Sequence, residues 1–147
     1  MFKKIIFAFI LTLPLVASSA EKTAQTLTAQ LSTYQESNIK KAFDEKKKTR
    51  DVNSDSLQDQ AFDALAKGVE LLKKDPSDTA LQKEVLRVTV LLLQADPSQY
   101  AGEVILPLYQ QDKKKFLKSL SVLPKKDADL VRDAVMDADR EQTEGNG

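Results

Sequence analysis

Lys113, Lys114, Lys115, Lys118, Lys125 and Lys126 place six positive charges within 14 residues that contain no acid. On a helix, Phe116, Leu117, Leu120 and Leu123 group on one face, and Lys114, Lys115 and Lys118 on the other. A basic face opposed to an apolar stripe suits anionic lipid headgroups, a glycopolymer or an acidic protein partner. The next segment carries the opposite charge: Asp127, Asp129, Asp133, Asp137, Asp139, Glu141 and Glu144 against Arg132 and Arg140. Neutralisation between these adjacent helices, or plain solvation of the lysines, competes with binding of an outside partner.

A second constellation is Asp51-Val52-Asn53-Ser54-Asp55-Ser56-Leu57-Gln58-Asp59, with oxygen side chains at positions 1, 3, 5 and 9 of a calcium-binding loop. Position 6 is Ser56 where glycine is needed, position 8 is the polar Gln58, and position 12 is Phe62 where a bidentate Glu belongs. The segment reads better as a polar linker that caps the following helix, and no metal ligand or cofactor is assigned. The chain has no Cys, His or Trp, which removes thiol and disulfide chemistry, imidazole acid–base catalysis and the usual zinc and haem ligands. Equal numbers of basic and acidic residues, 22 each, argue against a general nucleic-acid coat. Carboxylate pairs could cleave a glycosidic bond, but so many acids carry no specificity by number alone. Ser119 and Ser121 beside Lys118 look like ordinary helix residues rather than a Ser–Lys dyad. Gly68 and Gly102 sit in no phosphate-cradling loop. No catalytic residue is assigned.

The elements that must hold these side chains begin after a leader. Lys3 and Lys4 precede an apolar segment, Ile5 to Ala17, and Ser18 and Ala20 stand three and one before a cut after Ala20. Those 13 residues are too few to cross a bilayer as a helix, which takes about 20. No Cys follows the cut to carry a lipid anchor. Residues 1–20 are therefore expected to be a signal peptide, and the remainder an exported protein, periplasmic or secreted. Without Lys3 and Lys4, 20 basic and 22 acidic groups remain, a formal charge of −2.

Residues 21–48 read as one long amphipathic helix with a sparse stripe of Leu27, Leu31, Tyr34, Ile39 and Phe43. Such a stripe packs on a bundle or pairs with another chain, and its sparseness makes it peripheral. Residues 49–56 are a linker. Residues 57–142 form a helical domain that starts with Leu57, Ala61, Leu65, Val69 and Leu72 in phase, and residues 143–147 a frayed tail. Asp75-Pro76-Ser77 and Asp96-Pro97-Ser98, 21 residues apart, place Asp as N-cap and Pro at the first helical position. Between them, Leu81, Val85, Leu86, Val88 and Val90 to Leu93 mark the central, most buried helix. Pro107 should kink or end the next helix, Asp112 caps another, and Asp127 caps the last. The Asp-Pro-Ser turns resemble helix ends of tetratricopeptide units; the period of about 34 residues and its Trp, Gly and Tyr positions are missing.

The expected fold is all-α, a small antiparallel bundle or short α-hairpin solenoid of about five to six helices. The expected function is non-catalytic: protein–protein contact as an adaptor, inhibitor or immunity-type partner, or chaperone. A basic surface module built on Lys114, Lys115 and Lys118 and touching an anionic envelope surface is the alternative, and a cofactor-free hydrolase the second. A protein partner is expected and a nucleic acid is not. Intact-mass measurement of the exported protein should find Glu21 as the N-terminus; Met1 retained in a membrane fraction would overturn the leader assignment.

Overall fold

The break at residues 33–35 sets how the first part of the chain packs on α3 (Leu57–Lys74) and α4 (Thr79–Ala95). The computed structural model describes residues 18–49 and 56–145, the side chains of 46–49 excepted, and its regular elements are all helical. Where the sequence predicts one helix over 21–48, there are two: α1 (Ser19–Ser32) and α2 (Glu36–Thr49). A straight helix of that length would reach roughly 42 Å, against about 26 Å for partners of 17 or 18 residues. Breaking it lets both halves use the same core. Leu27 and Leu31 from α1, Tyr34 from the corner, and Ile39, Ala42 and Phe43 from α2 are all buried. The sparse stripe is thus integral rather than peripheral, because nearly every apolar residue it has is spent on the interior.

Arg87 secures the corner. Its Nη1 and Nη2 donate to the carbonyls of Tyr34 and Leu31, each at 2.8 Å, and its Nε to Glu84 at 2.9 Å. A helix end leaves carbonyls short of internal donors. Here a guanidinium from another helix supplies the Tyr34 carbonyl and adds a second donor to that of Leu31, which also accepts from the Tyr34 N–H at 3.2 Å. On the far side of the break, Asn38 Oδ1 accepts from the Gln35 N–H and starts α2.

α3 (Leu57–Lys74) and α4 (Thr79–Ala95) follow, and both pack against α1 and α2. α4 is the most buried helix, as its composition implies, with Leu81, Val85, Leu86, Val88, Thr89, Val90, Leu92 and Leu93 inside. Thr89 satisfies its hydroxyl on the Val85 carbonyl. Gly68 is where α3 meets α4: a Cβ there would lie 2.6 Å from Val85 Cγ2.

The two Asp-Pro-Ser turns do not start helices. Asp75 and Asp96 end α3 and α4 in non-helical conformations, as residues before proline prefer. Their carboxylates turn forward onto Ser77 and Ser98 and so cannot cap the helices that follow. Asp78 caps α4 instead, accepting from Leu81 N–H at 3.0 Å. In the second turn Gln99 occupies that place, at φ 61°. Its side chain reaches back to the carbonyls of Leu93 and Asp96, closing α4 rather than opening α5.

α5 (Tyr100–Gln111) runs through Pro107 without ending there. The carbonyl that proline deprives of a donor belongs to exposed Glu103, where water can replace it. α6 (Lys113–Ser119) passes through a 3-10 turn (Leu120–Val122) into α7 (Lys125–Gly145). α7 begins two residues before Asp127, which lies in its first turn, and continues beyond residue 142. Gly102 lets α5 lie against α7: a Cβ there would meet the Ala134 carbonyl oxygen at 2.8 Å. Seven α-helices therefore stand among the described residues, one or two more than expected.

Leu31 and Leu92 are both fully buried. Truncating either to Ala should cost about 2–5 kcal/mol in thermal or denaturant melts. Leu27→Ala should approach those values instead of costing much less. A near-neutral Leu31→Ala would mean that α1 is peripheral after all.

Candidate functional site

Asp112 opens α6 by accepting from the Lys115 N–H at 3.0 Å, as its position before the lysines implies. Phe116 and Leu120 are buried, each about 5% exposed, and Leu123 is half-buried. Leu117 departs from the expected stripe and is 39% exposed. At 100° per residue it cannot share the centre of a face with adjacent Phe116, and it falls on the side of Lys114 and Lys118. The spacing carries this information: Lys114, Leu117 and Lys118 stand at i, i+3 and i+4. Val122, in the following 3-10 turn, is 56% exposed.

The three site lysines do not behave alike. Lys114 and Lys118 are exposed and have no ion-pair partner among the described residues. Lys115 lies 3.6 Å from Asp112 and contributes to a pocket of about 280 Å³ between α3, α4, α5 and α6. That pocket is otherwise lined largely by Leu72, Val85, Leu86, Leu108 and Phe116. Lys125 and Lys126, also exposed, open α7 just beyond Val122. Lysines in the first turn of a helix oppose its dipole, so local helix stability does not explain why Lys113, Lys114, Lys115, Lys125 and Lys126 stand there.

Among the described residues, neutralisation by α7 reaches one lysine of the run. Lys113 Nζ donates to Asp139 at 2.9 Å and lies 4.9 Å above the Tyr109 ring. Gln110 completes the cluster by donating to Asp139 at 3.1 Å. Hydrogen bonding to Lys113, then to Gln110, holds the Asp139 carboxyl below its usual range, and the same bond from Asp139 raises the Lys113 ammonium. Three of the six remaining acids of α7 serve its own arginines, Asp129 and Asp133 pairing with Arg132 and Asp137 with Arg140, and Asp127 accepts from Gln94.

The other constellations resolve differently. Most of the half calcium motif, residues 51–55, lies outside the described residues. Ser56 caps α3, accepting from Asp59 N–H and donating its hydroxyl to Asp59 Oδ2 at 2.7 Å. No group of acids able to hold a metal occurs among the described residues. Ser119 donates its hydroxyl to the Phe116 carbonyl at 2.6 Å, which ties it to the helix backbone. Beside Asp59, a shallow pocket of about 400 Å³ brings Asp63 and Asp96 near the Phe62–Tyr100 ring pair, whose centroids are 5.2 Å apart. The groups with displaced pKa values, Glu36, Asp75, Lys113 and Asp139, lie on exposed pairs and a turn, away from the residues that line the two pockets above. An open, mostly apolar groove of about 640 Å³ runs between α1 and α3, over Leu27, Ala66 and Leu71 with Lys22, Lys67 and Glu70 at its sides.

The Lys113–Asp139 pair gives a pH expectation with a definite sign. A lowered carboxyl pKa means that the pair's contribution is present above the ordinary Asp value, near 3.9, and is lost as pH falls through the folded-state value. A raised lysine pKa extends the contribution past the ordinary value, near 10.4, before it is lost. Asp139→Asn should therefore flatten the acid side of the stability curve while leaving the fold intact at neutral pH; an unchanged acid limb would mean the pair contributes nothing measurable. Comparison with known protein families, with characterised proteins and with solved structures finds no match to this chain.

Proposed function

We propose that the protein is an exported, non-catalytic helical module that works by surface contact, with the lysine face of α6 as its contact surface. The observation that carries this reading is the pair Lys114 and Lys118, exposed and without an ion-pair partner among the described residues while Lys113 beside them is tied to Asp139. An acidic or anionic partner is the complement such a face selects. Export rests on the charged start, the short apolar run and the small residues at Ser18 and Ala20. The packing of α3 on α4 and of α4 on α5 across short turns supports the arrangement as a small antiparallel bundle or a short hairpin solenoid. The α1–α3 groove favours a second reading, a chaperone-like role in which an extended apolar peptide lies over Leu27 and Leu71.

Changing Lys114, Lys115 and Lys118 together to Gln tests the first reading against the second. The triple variant should melt as the parent does, since these side chains contribute little to the fold. It should lose partners that the parent captures from an envelope extract at low salt, and the parent should release them as salt rises. Identical capture by both proteins would assign the lysines to solubility. The α1–α3 groove would then be the surface to test, through Leu71→Glu.

A further inference from the structure

The corner formed by α6, the 3-10 turn and the start of α7 combines two features that a hydrated glycopolymer would not need together, and that the interface of a bilayer accepts at once. Four exposed lysines, Lys114, Lys118, Lys125 and Lys126, stand on it without an ion-pair partner among the described residues. Among them project Leu117 and Val122, two of the four large apolar side chains exposed among the described residues. The other two, Tyr100 and Met136, stand on α5 and α7. Lys114, Leu117 and Lys118 share one helix face by their spacing, and Val122 follows one turn on. Exposing Leu117 and Val122 to water is unfavourable, and a hydrated polyanion would leave them wet. The headgroup and upper acyl region of a bilayer accepts both: phosphates meet the ammonium groups, and the aliphatic tips enter hydrocarbon.

We infer that this corner docks the protein on an anionic lipid bilayer, with Lys114, Lys118, Lys125 and Lys126 on the phosphates and Leu117 and Val122 inserted between headgroups. The inference rests on the contact reading above and names its partner. The anchorage is peripheral and reversible: no helix among the described residues is long and apolar enough to cross a membrane. Two aliphatic side chains and four lysines give a weak, salt-sensitive attachment.

The chain has no Trp, so a single introduced one reports on its own position. Val122→Trp and, separately, Met136→Trp are made in protein purified from the exported fraction. Each is mixed with vesicles of equal parts phosphatidylglycerol and phosphatidylcholine, or of phosphatidylcholine alone. The indole introduced by Val122→Trp should shift to the blue and be quenched by brominated acyl chains, with the anionic vesicles only. The one introduced by Met136→Trp should not respond. Leu117→Ser with Val122→Ser should weaken vesicle binding about tenfold or more, and each Lys→Gln about fivefold at low salt. Binding that falls with the lysine changes while the indole of Val122→Trp stays wet would overturn lipid insertion and leave contact with a polyanion standing. Failure to bind vesicles, with capture of an envelope protein still dependent on Lys114, Lys115 and Lys118, would overturn the bilayer as partner but not the contact reading. Vesicle binding that ignores the lysine changes would overturn both. Equal blue shifts in the two variants would mean that the whole protein opens on the membrane, which also overturns docking through this corner.

Discussion

The Arg87 guanidinium, lodged against the end of α1, is the contact on which the arrangement of the first half depends. Its two bonds to the carbonyls of Leu31 and Tyr34 fix the place where the chain turns from α1 into α2. Without that turn, the apolar residues of one helix or the other would project past the core. The side chain is partly buried and its charge is matched by Glu84, so desolvation is offset at short range. A helix with one apolar residue per turn can then commit those residues to the interior, because the corner presents both halves to α3 and α4.

From that corner the order of packing follows. Gly68 and Gly102 allow close helix approaches that any side chain would prevent, α3 on α4 and α5 on α7. An aromatic chain from Phe43 to Phe62 to Tyr100 links α2, α3 and α5 by edge contacts. At the other end, Tyr109 and Phe116 join α5 to α6, and Lys113 ties α6 to α7 through Asp139. The lysine-bearing corner is thus held by a buried ring and one ion pair, while its outward face remains uncommitted. A short helix fixed from behind in this way presents its exposed side chains in a defined direction, which a loop of the same composition would not.

Much of the helical plan is legible along the chain, because burial with a 3.6-residue period leaves its mark on residue order. The apolar run from Leu81 to Leu93 announces the central helix, and Ser56 and Asp112 announce helix starts through cap chemistry that is local. The Asp-Pro-Ser turns mislead for a related reason. An Asp carboxylate can serve either the following helix or its own turn. Both Asp75 and Asp96 take the Ser two residues on, whether the residue after it caps the next helix, as Asp78 does, or does not, as with Gln99. Leu117 reads as core by composition, although its angular offset from Phe116 already places it with Lys114 and Lys118.

Residue types and local spacing by themselves determined that the described residues are helical, where α3 and α6 begin, and that one short segment concentrates positive charge. These are properties of neighbours within about a turn, and nearest-neighbour physics decides them. Only the tertiary structure decided that the first helix breaks, since the donor completing its end, Arg87, lies more than fifty residues away. It also decided which lysine is neutralised: Lys113 meets Asp139 across 26 residues, while Lys114 and Lys118 point to solvent. Pairings at that separation depend on how helices cross, and the sequence of either helix alone does not contain that crossing.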